Sequence, residues 1–268
     1  MRRTLLALLI CPFMVGPSSQ ADAASNISYQ KRWLHDVSVH VITANLNAKS
    51  VRVTPALARH GVGTSEGFGS MVFRLQPTAA ITGTYFCVNG LTPVADLVIE
   101  SNPISFGCVG TAICFTGDNK VEFKRTYLGR RDDWSGYVSV ISGGPRLVSA
   151  GVAYVSPSSE GFKDGGMYRA AARAAVGVTK NNKLLLVTVN SPVYLSKMAR
   201  IMRDLGAVDA INLDGGSSTA LYYRGLVPSH PGRRLTNLLV IYETDEAYAK
   251  ARDFLNPRPM FATGSSRS

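Results

Sequence analysis

Polar and apolar positions change period several times along this chain, and most of the changes mark short strands. Residues 37–44 alternate and are rich in β-branched side chains. Turn formers fill 45–48 and the alternation returns at 51–54, so the pattern predicts a hairpin. Residues 79–86 and 94–100 read as further strands. Residues 111–115 and 121–123 flank Gly117-Asp118-Asn119, and 174–178 and 184–189 flank Lys180-Asn181-Asn182, which predicts two more hairpins. Residues 137–141 run into Gly143-Gly144-Pro145 and the chain continues extended at 146–148. The period lengthens to that of a helix after Ser191: Leu195, Met198, Ile201, Met202 and Leu205 share one face. Ser191 suits the N-cap of that helix, Pro192 its first position and Gly206 its C′ position.

An apolar run at 208–213 follows, suited to an interior strand. Strand, helix, strand in this order implies a right-handed crossover joining two parallel strands. Asn190 and Asp214 would then emerge at the same carboxyl edge, where ligand clefts of α/β sheets form. Near the end, Thr244 is placed to cap a helix with the apolar face Ala247, Tyr248, Ala251, Phe254 and Leu255, stopped by Asn256-Pro257; residues 257–268 read as a loose terminus. No internal repeat or linker divides the chain. The fold expected is a single α+β domain over 24–256, with a mixed and antiparallel sheet core, several hairpins and one embedded β-α-β crossover.

The N-terminus is of another kind. Met1-Arg2-Arg3 is a positive start, 4–16 is apolar, and Ala21-Asp22-Ala23 offers small residues at the positions a signal peptidase reads. Residues 1–23 are therefore expected to be a cleaved signal, giving a secreted or periplasmic product. The apolar run is too short to anchor the chain stably in a membrane. Of 268 residues, 46% are hydrophobic and 18% charged, a globular balance that excludes a disordered or fibrous chain. Lys and Arg number 29 against 18 Asp and Glu, a surplus of 11 that favours anionic partners. The basic residues are scattered and no nucleic-acid module is present, so no nucleic acid is expected. After cleavage Cys87, Cys108 and Cys114 remain: Cys108 and Cys114 close a short loop, or Cys87 takes either as its partner. His35, His40, His60 and His230 form no metal signature, and a site without metal or cofactor is expected.

Candidate chemistry concentrates at three places. Ile211-Asn212-Leu213 delivers Asp214, after which Gly215 and Gly216 turn the backbone and Ser217, Ser218 and Thr219 add hydroxyl donors. Glycines without a Cβ let backbone N–H groups approach an anion closely; a plain Asp-Gly turn is the structural alternative. Gly143-Gly144-Pro145-Arg146 is a second glycine turn, with a cation beside it. Arg173 opens a strand of small apolar residues, and a cation there needs either a carboxylate such as Asp214 or an anionic substrate. Arg130-Arg131 and Arg233-Arg234 read as solvated surface charge.

Together these residues resemble the phosphodiester glycosidase domain family. Asp214-Gly215-Gly216-Ser217-Ser218, Gly143-Gly144-Pro145 and Arg173-Ala174-Ala175-Val176-Gly177 look like its signature blocks. Ile81-Thr82-Gly83-Thr84-Tyr85-Phe86 resembles its Ile-Asn-Gly-Gly-Phe-Phe block, and Leu235-Thr236-Asn237-Leu238-Leu239-Val240 its closing Asn-Ala-Leu block. The blocks stand in the family's order from Ile81 to Tyr242. Thr82 and Thr84 depart from the family's Asn and second Gly, and Asn190 stands where an acidic residue is common. The resemblance implies hydrolysis of a sugar-1-phosphodiester at the glycosidic bond, through a transition state that a carboxylate stabilises. Asp214 is the first carboxylate it implies; Asp96 is preferred over Glu100 as the second. Arg173 and the amides of Gly143, Gly144, Gly215 and Gly216 would stabilise the departing phosphate, with Arg146, Ser217, Ser218, Thr84, Asn190 and Asn237 also in the binding site. The partner implied is a phosphorylated or anionic glycan. The competing reading is a protein that binds such glycans without turnover.

Overall fold

The computed structural model describes residues 25–107 and 109–257. The expected signal segment, Cys108 and the tail beyond Pro257 lie outside the described residues. In chain order the strands are β1 (Ile27–Leu34), β2 (Val37–Asn45), β3 (Arg52–Leu57), β4 (Ala79–Thr82), β5 (Leu97–Ile99), β6 (Asn102–Ser105), β7 (Thr111–Phe115), β8 (Val121–Arg125) and β9 (Ser139–Gly143). They continue as β10 (Arg146–Ser149), β11 (Val152–Ala153), β12 (Ala171–Thr179), β13 (Lys183–Val193), β14 (Ala207–Asn212), β15 (Leu221–Tyr223), β16 (Leu226–Ser229) and β17 (Asn237–Tyr242). Three helices are interleaved: α1 (Phe68–Leu75), α2 (Leu195–Asp204) and α3 (Asp245–Leu255). The strands form a seven-stranded sheet, β1-β2-β13-β12-β14-β10-β11, and two five-stranded sheets, β16-β15-β4-β17-β3 and β6-β5-β9-β7-β8. The architecture is α+β, and the named strands pair antiparallel throughout.

Burial on both faces explains the apolar runs of the large sheet. Leu184 and Leu186 of β13 point into the main core with Ile42, Ile81, Ile211 and Leu239. Leu185, Val187 and Val189 point the other way, against Leu195, Met198 and Ile201 of α2. A strand covered on both sides has no polar face to alternate with. The third sheet sends Leu97, Ile113 and Ile141 into the main core, while its outer face packs Val98, Ala112 and Val140 beneath Trp134 and Tyr137.

Two predicted hairpins form, β7–β8 and β12–β13, the latter turning at Asn182 with φ +54°. The hairpin predicted over 37–54 does not. β2 pairs instead with β1, through a turn at His35 and Asp36 with φ +50° and +61°, while β3 leaves for the second sheet and pairs with β17. The expected crossover forms, and it passes over one strand. β13 and β14 both pair antiparallel with β12, so they run parallel to each other with β12 between them, not as neighbours. α2 starts later than predicted: Ser191 and Pro192 belong to β13, which Val193 extends by pairing with Ala171, and Tyr194 takes the N-cap position. Gly206 follows the helix at φ +91° and Thr244 caps α3 by accepting the Ala247 N–H at 3.2 Å, both as predicted. Cys87 is exposed and Cys114 buried, and the two are not bonded to each other. Among the described residues no helix is long and apolar enough to cross a membrane.

Candidate active site

Ends of strands from all three sheets meet at Asp214. Asp214 leaves β14 with its N–H donated to the Gly83 carbonyl at 3.0 Å, which ties the large sheet to the segment after β4. One residue earlier, the Leu213 N–H reaches Ala174 O of β12 at 2.8 Å. Before that, Asn212 O accepts the Gly144 N–H at 2.7 Å from the turn after β9. Asn237, at the start of β17, clips the remaining segment. Its Oδ1 accepts the Thr84 N–H at 2.7 Å and its Nδ2 donates to Thr84 O at 3.2 Å. That approach requires glycine at 83, because a Cβ there would lie 1.9 Å from Asn237 Oδ1. Thr84 is buried, and its hydroxyl has no hydrogen-bond partner among the described residues.

Asp214 is half-buried, and burial lifts its carboxyl from 3.8 to about 6. The Ser218 hydroxyl, the positive charge of Arg233 and the Gly215 N–H oppose the rise without cancelling it. Ser218 is buried in the short 3₁₀ turn Gly216–Ser218, whereas Ser217 is exposed and gives its carbonyl to the Gly232 N–H at 2.8 Å. Gly216 has φ +59°, which favours glycine.

Arg173 passes beneath this turn. A Cβ on Gly215 would sit 2.9 Å from Ala172 O and 3.8 Å from Arg173 Cδ. Only 4% of Arg173 is exposed, yet its guanidinium meets carbonyls alone among the described residues: Val193 O at 3.2 Å, Gly166 O at 3.4 Å and Arg169 O. Burial pulls its pKa down, and Tyr85 acts weakly in the other direction. A nearly buried cation without a carboxylate is poised for an anionic ligand. Carbonyls accept from its Nε and Nη2 and leave its charge uncompensated.

Tyr85 completes the floor. Its hydroxyl donates to Gly144 O at 2.6 Å and accepts from Asn212 Nδ2 at 2.5 Å, while its ring meets Phe162 edge-on at 5.7 Å. Burial pushes its phenol far up, and the charges of Asp214, Arg173 and Glu160 all act on it. The phenol therefore stays neutral.

Other candidates are placed differently. The Gly144 N–H is already given to Asn212, so this turn braces the site instead of offering that amide to a phosphate. A Cβ on Gly143 would lie 2.6 Å from Asn212 O, so the pair is packed directly on β14. The Arg146 guanidinium is ion-paired with Asp209. Its backbone N–H instead donates to Glu160 at 2.6 Å. Asn190 is exposed and donates to Pro228 O at 3.0 Å. Asp96 is buried and accepts the Gly107 N–H at 2.6 Å; burial raises its pKa, and Asp132 adds to the rise. The structure thus groups the Asp96 carboxylate with Gly107 and Asp132, while its carbonyl accepts the Ser142 N–H at 2.9 Å from the strand that leads into the Gly143-Gly144 turn. Glu100 binds Tyr248 at 3.1 Å and Arg252, both on α3.

Two neighbours of the site escaped the sequence reading. Glu160, buried, accepts from Thr111 Oγ1 at 2.8 Å and from the Arg146 N–H, and lies 3.4 Å from Arg125. It supports the Gly144 turn, where a Cβ would come within 3.1 Å of its Oε2. Arg233, expected as solvated charge, is half-buried with its guanidinium 4.4 Å from the centre of the Phe86 ring. A lone Glu in a polar loop and an Arg pair near a glycine carry no signal in sequence; only partners brought by folding distinguish them.

A carboxylate of raised pKa, an uncompensated buried arginine and a hydroxyl-bearing glycine turn define a site suited to anionic substrates. The family model described as phosphodiester glycosidase matches residues 76–242, and the chain belongs to that family of hydrolases. No protein of curated function matches the sequence. A zebrafish structure, the N-acetylglucosamine-1-phosphodiester alpha-N-acetylglucosaminidase catalytic domain auto-inhibited by its pro-peptide, is similar with a TM-score of 0.67 and 23% identity, over 82% of this chain and 83% of that one. A hypothetical protein from Synechocystis has a TM-score of 0.71 at 17% identity over 81% of this chain. This chain spans 62% of the length of the Synechocystis protein. A putative exported protein from Burkholderia pseudomallei K96243 has a TM-score of 0.61 at 13% identity, covering 77% and 74% of the two chains. At these identities the likeness is one of fold.

Proposed function

We propose that this protein, after export, hydrolyses the bond between the anomeric carbon of a sugar and the oxygen of a phosphodiester. The observation that carries the reading is Arg173, nearly buried, uncompensated by any carboxylate among the described residues, and packed under the turn that bears Asp214. A sugar-1-phosphodiester complements both groups, with one negative charge for the arginine and an electron-poor anomeric carbon for the carboxylate. Water's oxygen bonds to that carbon, the electrons of the broken C–O bond stay with the phosphate oxygen, and Asp214 receives the proton water gives up. As the bond breaks, positive charge builds on the sugar ring and negative charge on the phosphate. Asp214 and Arg173 stabilise the two poles respectively. Phosphate leaves as a weak base, so the reaction does not depend on a strong general acid. The products are free sugar and a phosphomonoester.

An N-acetylglucosamine-1-phosphodiester, or a phosphodiester-linked glycan of an envelope or extracellular polymer, is the substrate class we favour. The zebrafish neighbour's name supports the first; the signal-like N-terminus and the surplus of 11 positive charges support an exported protein acting on an anionic glycan. The test is to incubate the mature protein with an N-acetylglucosamine-1-phosphodiester and quantify sugar and phosphomonoester, with and without chelator. Release by wild type and none by Asp214→Asn is the expected result. Equal release from both proteins would remove Asp214 from the mechanism.

A further inference from the structure

Arg233 is held in place by its neighbours and left unused by them. The Gly232 N–H is bonded to Ser217 O at 2.8 Å, and Leu235 exchanges backbone bonds with Glu66 at 2.9 and 2.8 Å, so the segment is pinned on both sides of Arg233. Its guanidinium lies over the Phe86 ring at 4.4 Å and makes no hydrogen bond or ion pair among the described residues. The adjacent Arg234 differs: it is exposed and spends its guanidinium on Ser65 O at 2.8 Å. Phe86 and Ser217 belong to the two segments that frame Asp214. Arg233 therefore sits on the rim of the site with its donors unused among the described residues, its plane set by an aromatic ring. Asp214 feels its charge.

We propose that Arg233 is a specificity-determining residue that grips the substrate's phosphate together with Arg173, so that the site selects a leaving group bearing charge. The inference rests on the reaction proposed above. A phosphodiester carries one negative charge, which Arg173 alone balances. The departing phosphomonoester carries about −1.5 to −2 near neutral pH, so a second cation gains most as the bond breaks. A neutral aryl glycoside offers that second cation nothing.

The test uses inorganic phosphate as probe, titrated calorimetrically into the mature wild type, Arg233→Gln, Arg233→Lys and Arg234→Gln. Loss of one charge-assisted contact should weaken phosphate binding by about 10- to 100-fold in Arg233→Gln. Arg233→Lys should recover part of the loss, and Arg234→Gln should match wild type. Turnover of the phosphodiester should fall in parallel in Arg233→Gln, while cleavage of an aryl N-acetylglucosaminide should not. The acid limb of the phosphodiester pH profile should also move upward in Arg233→Gln, because Asp214 loses a cation that favours its charged form. Equal weakening in the Gln variants of Arg233 and Arg234 would reduce the effect to net charge and overturn the proposal. So would a wild type that binds no phosphate. A wild type that binds phosphate through Arg233 yet cleaves no phosphodiester would refute the hydrolase reading and uphold Arg233 as a phosphate contact.

Discussion

Replacing Asp214 with asparagine should make the protein more stable at neutral pH while it abolishes turnover. Burial lifts the Asp214 carboxyl from 3.8 to about 6, a difference that corresponds to about 3 kcal/mol between its two protonation states. The folded protein holds this proton more tightly than the unfolded chain does. The resulting stabilisation is present in full below about pH 4, and it is lost as pH rises through about 6. The amide in the Asp214→Asn variant has no such proton to lose. Every other titrating group is shared, so subtracting the two unfolding free energies isolates this one, provided the neighbours keep their own pKa values. Urea unfolding of both proteins at a series of pH values provides the measurement. The stability of the variant minus that of wild type should climb by about 3 kcal/mol between about pH 3 and pH 7, with most of the climb complete soon after pH 6. A flat difference would mean that the carboxylate is solvated and its environment is not what gives it a raised pKa. A difference that falls with pH would mean that a cation, most simply Arg173, pairs with Asp214 and stabilises its charge. Either result would refute the environment read for Asp214, a carboxylate that burial disfavours as an anion.

The same carboxyl should govern the acid limb of activity: if Asp214 accepts a proton from water, kcat/KM for a phosphodiester should decline below about pH 6, and a limb near 4 would point to an ordinary exposed carboxylate. Arg173→Ala should lose turnover and also stability, by about 1–3 kcal/mol, because the carbonyls of Gly166, Arg169 and Val193 lose their donor. Arg173→Lys should recover part of both, and an Ala variant with full stability in urea would show that those bonds contribute little. Asn237→Ala unclips both backbone groups of Thr84 and should cost about 1–3 kcal/mol, read as a lower urea midpoint. Tyr85→Phe removes the hydroxyl between Asn212 and Gly144 and should cost about 1–2 kcal/mol with far more activity retained than in Asp214→Asn; loss of activity to the same level would give the phenol a direct part in the chemistry.

The parts of the fold legible in the sequence are those whose determinants are local. The turn at Lys180-Asn181-Asn182 and the cap at Thr244 sit within a few residues of what they organise, and both form where predicted. The start of α2 shows the limit. Ser191 and Pro192 are a good local signal for a helix start, but Ala171, from another strand, pairs with Val193 and holds both residues extended. Pairing across strands outweighs a cap worth about 1 kcal/mol. The hairpin predicted over 37–54 failed for a related reason: turn residues show that the chain reverses, and not which sheet receives the next strand. β1 escaped notice because Gln30, Lys31 and Arg32 lie on an exposed edge strand, where no buried face enforces alternation. α1 is short, and Gly67 and Gly69 weaken its helical signal around Phe68, Met71 and Leu75.

The site divides along the same line. Asp214 and Arg173 stand out in sequence because each is a charge in an apolar strand context, and such a charge must find a partner or a purpose. Asp96 gives the same signal, and what folding brings to its side chain is the Gly107 N–H beside the third sheet. Sequence alone does not separate the two cases, because the difference lies in what folding brings alongside. Arg233 is the converse. Nothing around it in the chain is apolar enough to make its charge unusual, and it gains significance only when Phe86 comes beneath it and the turn after Asp214 comes beside it. A buried charge can therefore be found by reading along the chain, but whether it is already answered is a question about other segments. At this site the answer for Arg173 is a set of carbonyls and for Arg233 an aromatic face, neither of which neutralises a charge. That leaves one cation under the turn that bears Asp214 and another whose charge reaches a carboxylate that burial disfavours as an anion.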